Sequence, residues 1–166
     1  MVQGLFLDDY DLRMNSYNML KHETTTSTSS MTSIPRPLKF ARTHFQEIKD
    51  FYEKMEPKDE KEKNYKLMLS DLLSVILTVV NEKEGDKELT ILSYVLTGTK
   101  QDLTTWGQEY IRSLCSDIGQ EYNIRLDKDE PVNDLLDLVK IIAPYLIKQH
   151  CESDAIDLLI EMDCIK

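Results

Sequence analysis

Apolar residues recur at helical spacing along most of this chain, and the richest run is residues 65–80, YKLMLSDLLSVILTVV. Tyr65, Met68, Leu69, Leu72, Val75, Ile76, Val79 and Val80 follow the i, i+3, i+4 rhythm of one helical face. Leu67, Leu73 and Leu77 carry the apolar surface around the circumference, which predicts a central helix covered on several sides. The run is shorter than the roughly 20 apolar residues of a bilayer span, and Asp71 interrupts it.

Upstream, Tyr10, Met14, Tyr17 and Leu20 share a face and predict a first helix over residues 6–23. Residues 24–33, TTTSTSSMTS, are nearly all hydroxyl side chains, which compete for backbone hydrogen bonds and bury little area. A plain polar linker explains them more simply than a phosphorylation cluster. Pro35 and Pro37 push their preceding residues out of the α region, so residues 34–37 are expected to be extended. A helix should then start near Thr43, where Thr43 and Gln46 match a capping box, and bury Phe45, Ile48, Tyr52 and Met55. Pro57 closes that helix, and the alternating charges of residues 58–63 read as a solvated hinge or a first helical turn.

Beyond the central run, residues 81–86 form a polar turn. Leu89, Leu92, Val95 and Leu96 then predict a helix stopped by Gly98 at its C′ position. The β-branched Thr90, Ile91, Val95 and Thr97 leave a strand open there. Thr99 and Asp102 offer a second capping box for a long helix with Leu103, Trp106, Tyr110, Leu114, Ile118 and Tyr122 on one face. Ile111 and Cys115 widen that face, and Gly107 and Gly119 fall within it. Residues 123–130 are a polar connection, and Pro131 suits a first helical residue before Leu135, Leu136, Val139 and Ile142. Pro144 is expected to kink or end that helix. A short piece over residues 145–149 leads to a last helix, residues 154–162, and the close of the chain at Lys166 soon after suggests a fragment. Apolar surface around Leu158, Leu159 and Met162 is expected to lie bare for want of downstream helices. The expected fold is all-α: antiparallel helical hairpins of about six or seven helices in an α-solenoid-like segment. Residues 1–33 would be an N-terminal helix and linker, and residues 34–166 the helical domain.

Charge narrows the partners. The formal net charge is −10; residues 1–64 hold 11 acidic and 10 basic side chains, residues 65–166 hold 19 and 10. A second half at −9 repels phosphate backbones and favours basic partners over nucleic acid. Three cysteines, Cys115, Cys151 and Cys164, show no CxxC spacing, and no signal segment or glycosylation sequon is present. A reducing, cytoplasmic and nuclear setting is expected.

Site chemistry is sparse. The five glycines do not form a P-loop or dinucleotide fingerprint, and neither GxSxG nor HExxH occurs. The histidines His22, His44 and His150 are scattered, and adjacent His150 and Cys151 point apart on a helix. Asp127-x-Asp129 begins like a calcium loop but lacks the required glycine and distal glutamate. Cys115 lies on an apolar face and reads as core rather than nucleophile. No catalytic, cofactor-binding or metal-binding residue stands out, no cofactor is implied, and partner-binding residues are not identified. An enzyme using Cys115 or Cys151 is a distant rival; a free-standing helical adaptor that binds peptides in a groove is the nearer one, although no internal repeat supports it.

Four blocks together carry a resemblance: SMTSIPRPLKF (residues 30–40), SDLLSV (70–75), LTTWGQEYIRSL (103–114) and LVKIIAPY (138–145). With AIDLLIE (155–161) in the same order and spacing, the chain from Leu12 onward resembles the N-terminal region of the regulatory particle non-ATPase one family. That family comprises the large scaffold subunits of the 26S proteasome regulatory particle base. It differs from the family pattern in Thr43, where proline is usual, and in its longer charged run after Pro57. The resemblance implies a non-catalytic scaffold segment that helps seat its subunit on the ATPase base, where paired ATPase N-termini form coiled coils. The family's receptor sites for ubiquitin and shuttle proteins would lie beyond Lys166, and the matching motifs are structural, so no functional residue carries over.

Overall fold

The computed structural model describes residues 2–26, 36–80 and 90–164. The chain is all-α, with eight α-helices and no strand among the described residues. Most of the Ser/Thr-rich linker (residues 27–33), the Ile34-Pro35 pair and the polar turn of residues 81–86 lie outside the described residues, as does Leu89. Two compact units are present, Met1–Gly107 and Gln108–Lys166.

The first unit begins with a 3-10 turn, Val2–Phe6, which buries Val2 and Leu5. Helix α1 (Tyr10–Thr26) follows, with the Asp9 carboxylate accepting the Leu12 N–H at 3.0 Å as an N-cap. Its buried stripe is Arg13, Tyr17, Leu20 and Thr24, so two polar residues extend an apolar face. Thr24 is not linker: it sits in the last turns of α1 and its hydroxyl donates to the Leu20 carbonyl at 2.8 Å.

Helix α2 (Arg36–Arg42) begins inside the 34–37 stretch expected to be extended. Pro37 falls in its first turn, where no intrahelical N–H is needed, so the rule against α before proline yields to the packing of Leu38 and Ala41. The Thr43/Gln46 capping box does not form. Thr43 donates backward to the Phe40 carbonyl at 2.7 Å, Gln46 donates to Asp50, and His44 is the N-cap of α3 (Phe45–Lys54) without a side-chain cap bond.

Helix α4 (Glu60–Leu77) opens inside the charged run, which is its cap and first turn: Asp59 accepts the Glu62 N–H at 2.8 Å, and Glu62 accepts the Lys58 N–H at 2.8 Å. From Leu69 to Ile76 every residue is buried, so this helix has no solvent face over two turns. Its upstream end keeps Leu67 in solvent. Helix α5 (Ile91–Thr97) is capped by Thr90, which accepts the Ser93 N–H at 3.1 Å, and packs on α4. The helix, not the strand, is what residues 91–97 form.

The long helix expected from Leu103 is broken. A 3-10 turn (Leu103–Trp106) buries Leu103 and Trp106, then Gly107 at φ 99° redirects the chain. A left-handed φ of this kind suits glycine and ends any continuous α-helix.

In the second unit α6 (Gln108–Asp127) buries Tyr110, Ile111, Leu114, Ile118 and Tyr122 and runs through residues expected to be a connection. Helix α7 (Asn133–Lys148) starts two residues after Pro131 and continues through Pro144, which is exposed. Proline removes one intrahelical bond, and the buried neighbours Ile142, Ala143 and Leu146 hold the helix together across the gap. Helix α8 is Glu152–Glu161. All three helices stop in the same way. Asp129, His150 and Asp163 adopt φ 55°, 58° and 52°, and the next residue's N–H reaches back five positions, from Glu130 to Arg125, Cys151 to Leu146 and Cys164 to Leu159. These are Schellman closures with a non-glycine residue in the left-handed position.

Candidate functional site

The most chemically loaded place in the first unit is the side chain of Asp71, 4 % exposed in the fully buried part of α4. Its Oδ1 accepts the Thr99 N–H at 3.1 Å, its Oδ2 accepts the Thr99 hydroxyl, and the Lys100 N–H adds a further bond. Burial pushes this carboxyl above the ordinary aspartate range, and the Thr99 and Lys100 donors with the charge of Lys21 pull it partly back. Gly98 precedes Thr99 in an extended conformation, and a Cβ there would run into the Asp71 carboxylate. Glycine is needed at 98 for this close approach, not for a left-handed C′ turn.

Neighbouring polar groups complete a knot. Ser70 Oγ donates to the Tyr94 carbonyl at 2.9 Å and shares a 2.8 Å hydrogen bond with Thr97 Oγ1, while Ser74 Oγ donates to the Asp71 carbonyl at 2.6 Å. Nearer the start of α4, Tyr65 donates its hydroxyl to the Leu5 carbonyl at 3.0 Å; its burial raises its pKa, and the Arg13 guanidinium lies 5.0 Å over its ring. Both Asp71 oxygens are spent on holding the Thr99–Lys100 backbone. The arrangement can pin α5 and the following loop to α4; it offers a substrate no free acid or base. The sequence offers Thr99 and Asp102 as a capping box, but Thr99 serves the buried Asp71 carboxylate and Asp102 accepts from Lys21 at 3.1 Å.

The other candidates fall apart in space or in chemistry. Cys115 is half-buried, and burial with the nearby charges of Asp154 and Glu161 pushes its thiol up to about 12, away from the thiolate a nucleophile requires. Cys151 is buried and accepts a hydrogen bond from Gln108 Nε2 at 3.0 Å, while adjacent His150 points into solvent. Asp127 ends α6 and Asp129 closes it, so neither belongs to an ion-binding loop. Among the described residues no group of three or more histidine, cysteine or acidic side chains could hold a metal ion. No helix there is long and apolar enough to cross a membrane.

Surface follows a different order from the one expected. Leu158 and Met162 are buried at 2 % and 1 %, not bare; the exposed aliphatics of α7 and α8 are Ile141, Ile147, Ile156 and Ile160. On α2, Phe40 stands 60 % exposed, a feature hidden from the sequence because the helix that presents it was not expected.

Comparison with known proteins agrees with the motif blocks. The model of the RPN1 N-terminal domain family matches residues 1–166. The 26S proteasome non-ATPase regulatory subunit 2 homolog B of Arabidopsis thaliana is 39% identical over 153 residues, covering 92% of this chain and 16% of that protein. The 26S proteasome regulatory subunit rpn-1 of Neurospora crassa is 36% identical over 167 residues, covering 100% and 18%. The rpn1 subunit of Schizosaccharomyces pombe is 36% identical over 153 residues, covering 92% and 16%. The chain thus spans under a fifth of the length of these relatives. With its helices, its core blocks and its whole length matched by that family model, the chain belongs to the RPN1 N-terminal domain family.

Proposed function

We propose that this chain is a non-catalytic scaffold segment of the proteasome regulatory particle, helping to seat its subunit against the ATPase base in ubiquitin-dependent protein degradation. The observation that carries the reading is the family match over residues 1–166, joined to relatives named as 26S proteasome regulatory subunits. The motif blocks support a scaffold role because their apolar residues build packing. Residues 70–75 lie wholly in the buried part of α4; Trp106, Tyr110, Ile111 and Leu114 are core; so are Leu138, Val139, Ile142 and Ala143.

The partners proposed are the paired N-terminal coiled coils of the ATPase subunits, with ubiquitin and shuttle-protein recognition lying outside these residues, in the cytoplasm and nucleus. The −9 of residues 65–166 favours basic partner segments and makes binding weaken with salt. The test is titration of the 166-residue chain with ubiquitin, a shuttle ubiquitin-like domain and a paired ATPase N-terminal coiled coil. Salt-sensitive binding to the coiled coil alone is expected. Sub-micromolar binding to either of the first two, with none to the third, would overturn the role.

A further inference from the structure

We propose that the outer face of α8 is a docking surface for a basic amphipathic helix of another protein, with Ile156 and Ile160 as apolar anchors and Glu152 and Asp157 as charge partners. The inference rests on the scaffold reading for the sign of the partner's charge and adds the surface that meets it.

The first observation is geometric. Ala155, Leu158 and Met162 form the buried stripe of α8. Successive helical residues are about 100° apart around the axis, so Ile156 and Ile160, each two positions from Leu158, stand about 160° away from it. Four apart, they are neighbours on one line, 48 % and 56 % exposed. The exposed residues of α8 fall in two adjacent rows at i, i+4 and i+8: Glu152, Ile156 and Ile160, and beside them Ser153, Asp157 and Glu161. Isoleucine therefore occupies the line farthest from the core, with carboxylates along its border.

The second observation is charge. Residues 149–164 hold five carboxylates, Glu152, Asp154, Asp157, Glu161 and Asp163, and no lysine or arginine. Asp154, which is half-buried, is paired with Arg112 of α6 at 2.9 Å. Among the described residues Asp157, Glu161 and Asp163 form no ion pair, and Glu152 has only the exposed imidazole of His150, 3.8 Å away. The helix dipole favours carboxylates in the first turn, which accounts for Glu152 and Asp154. It disfavours them toward the last turn, where α8 has no cation. The Glu161 carboxylate lies over Gly119 of α6, where a Cβ would run into it, which leaves Asp157 as the acid beside the isoleucine line.

A lone surface isoleucine needs no explanation. Two in line, bordered by acids without cations, match a helix that presents apolar residues at i and i+4 and lysine or arginine one row away. The aliphatic stems of those cations cover isoleucine while their heads reach the carboxylates. A second copy of α8 would instead set carboxylate against carboxylate.

The experiment uses the 166-residue chain and a designed helical peptide of lysine and leucine, followed by fluorescence anisotropy and amide chemical shifts. Controls are a lysine–glutamine peptide and a glutamate–leucine peptide. Binding of the lysine–leucine peptide should perturb the amides of residues 152–161. Ile156→Ser with Ile160→Ser, and separately Asp157→Lys, should each weaken it by roughly tenfold or more, with the far-UV circular dichroism of the chain unchanged. The proposal is overturned if the lysine–glutamine peptide binds equally well, if the shifts fall outside α8, or if either variant binds like wild type. Self-association abolished by the serine variant would also overturn it, by making a second copy the occupant. Coiled-coil binding without lysine–leucine binding would overturn this surface and leave the scaffold role standing; lysine–leucine binding at α8 without coiled-coil binding would do the reverse.

Discussion

Helices α4 and α7 invert the relation between apolar content and burial. Helix α7, NDLLDLVKIIAPYLIK, is the more hydrophobic sequence, yet it leaves Ile141 and Ile147 about half exposed. Helix α4 carries Ser70, Asp71 and Ser74 in its middle and has no solvent face there. The difference lies in what covers each helix. Helices α1, α2, α3 and α5 all pack on α4, whereas α7 is covered within its unit by α6 and α8. A helix surrounded on all sides buries its polar residues too, and those must find partners inside. One covered on a single stripe can spend isoleucine on the surface at little cost.

The largest expected effect follows from that contrast. Leu72→Ala, at a wholly buried site, should cost about 2–5 kcal/mol of stability in urea denaturation. A loss under roughly 0.5 kcal/mol, the scale of an ordinary surface change, would place Leu72 outside the core. Next comes the polar knot. Asp71→Asn keeps one acceptor oxygen but sets an amide N–H in place of the other against donors of Thr99 and Lys100, and should cost about 1–3 kcal/mol at neutral pH. The sign of its pH dependence is fixed by the raised pKa. From the ordinary value of 3.8 up to the folded-state value the native state holds more protons than the unfolded chain, so Asp71 contributes stability at low pH that declines as pH rises through that window. In Asp71→Asn that share of the slope should vanish; an unchanged slope would assign it to other carboxylates.

Smaller effects probe the second unit. His150→Gly should raise stability, by up to about 1 kcal/mol, since glycine relieves the left-handed φ of 58° while the unfolded chain gains entropy that offsets part of the gain. Destabilisation would mean the imidazole does more than close α7. Ile156→Ser and Ile160→Ser, on the exposed side of α8, should each change stability by less than roughly 0.5 kcal/mol. A loss several times larger would show that α8 is covered.

Legibility in the sequence followed the same division. Apolar residues on every face of the central run predict a helix covered on several sides, and that is what α4 is. The all-α class and the family followed from periodicity and from blocks such as LTTWGQEYIRSL. What escaped was local backbone closure. Glycine is the C′ signal that a sequence displays, as at Gly98; the three left-handed closures of the second unit use aspartate and histidine, so α6 and α7 run past their expected ends. Proline misled in the other direction, hiding α2 and cutting α7 short, because tertiary packing overrode a local preference at Pro37 and Pro144. The hydroxyls of Thr43 and Thr99 fit capping patterns in the sequence but bond elsewhere, one backward to Phe40 and the other across to Asp71. A donor's choice between its own helix and a buried charge depends on long-range proximity, which a single sequence does not encode locally.

Amide hydrogen exchange of the 166-residue chain, read by mass spectrometry, tests most directly that α4 is the organising element of its unit. The amides from Leu69 to Ile76 should be the slowest of the first unit, opening only with its global unfolding, while those of α2 exchange by smaller local openings. Exchange over these α4 amides as fast as in α2 would contradict the account.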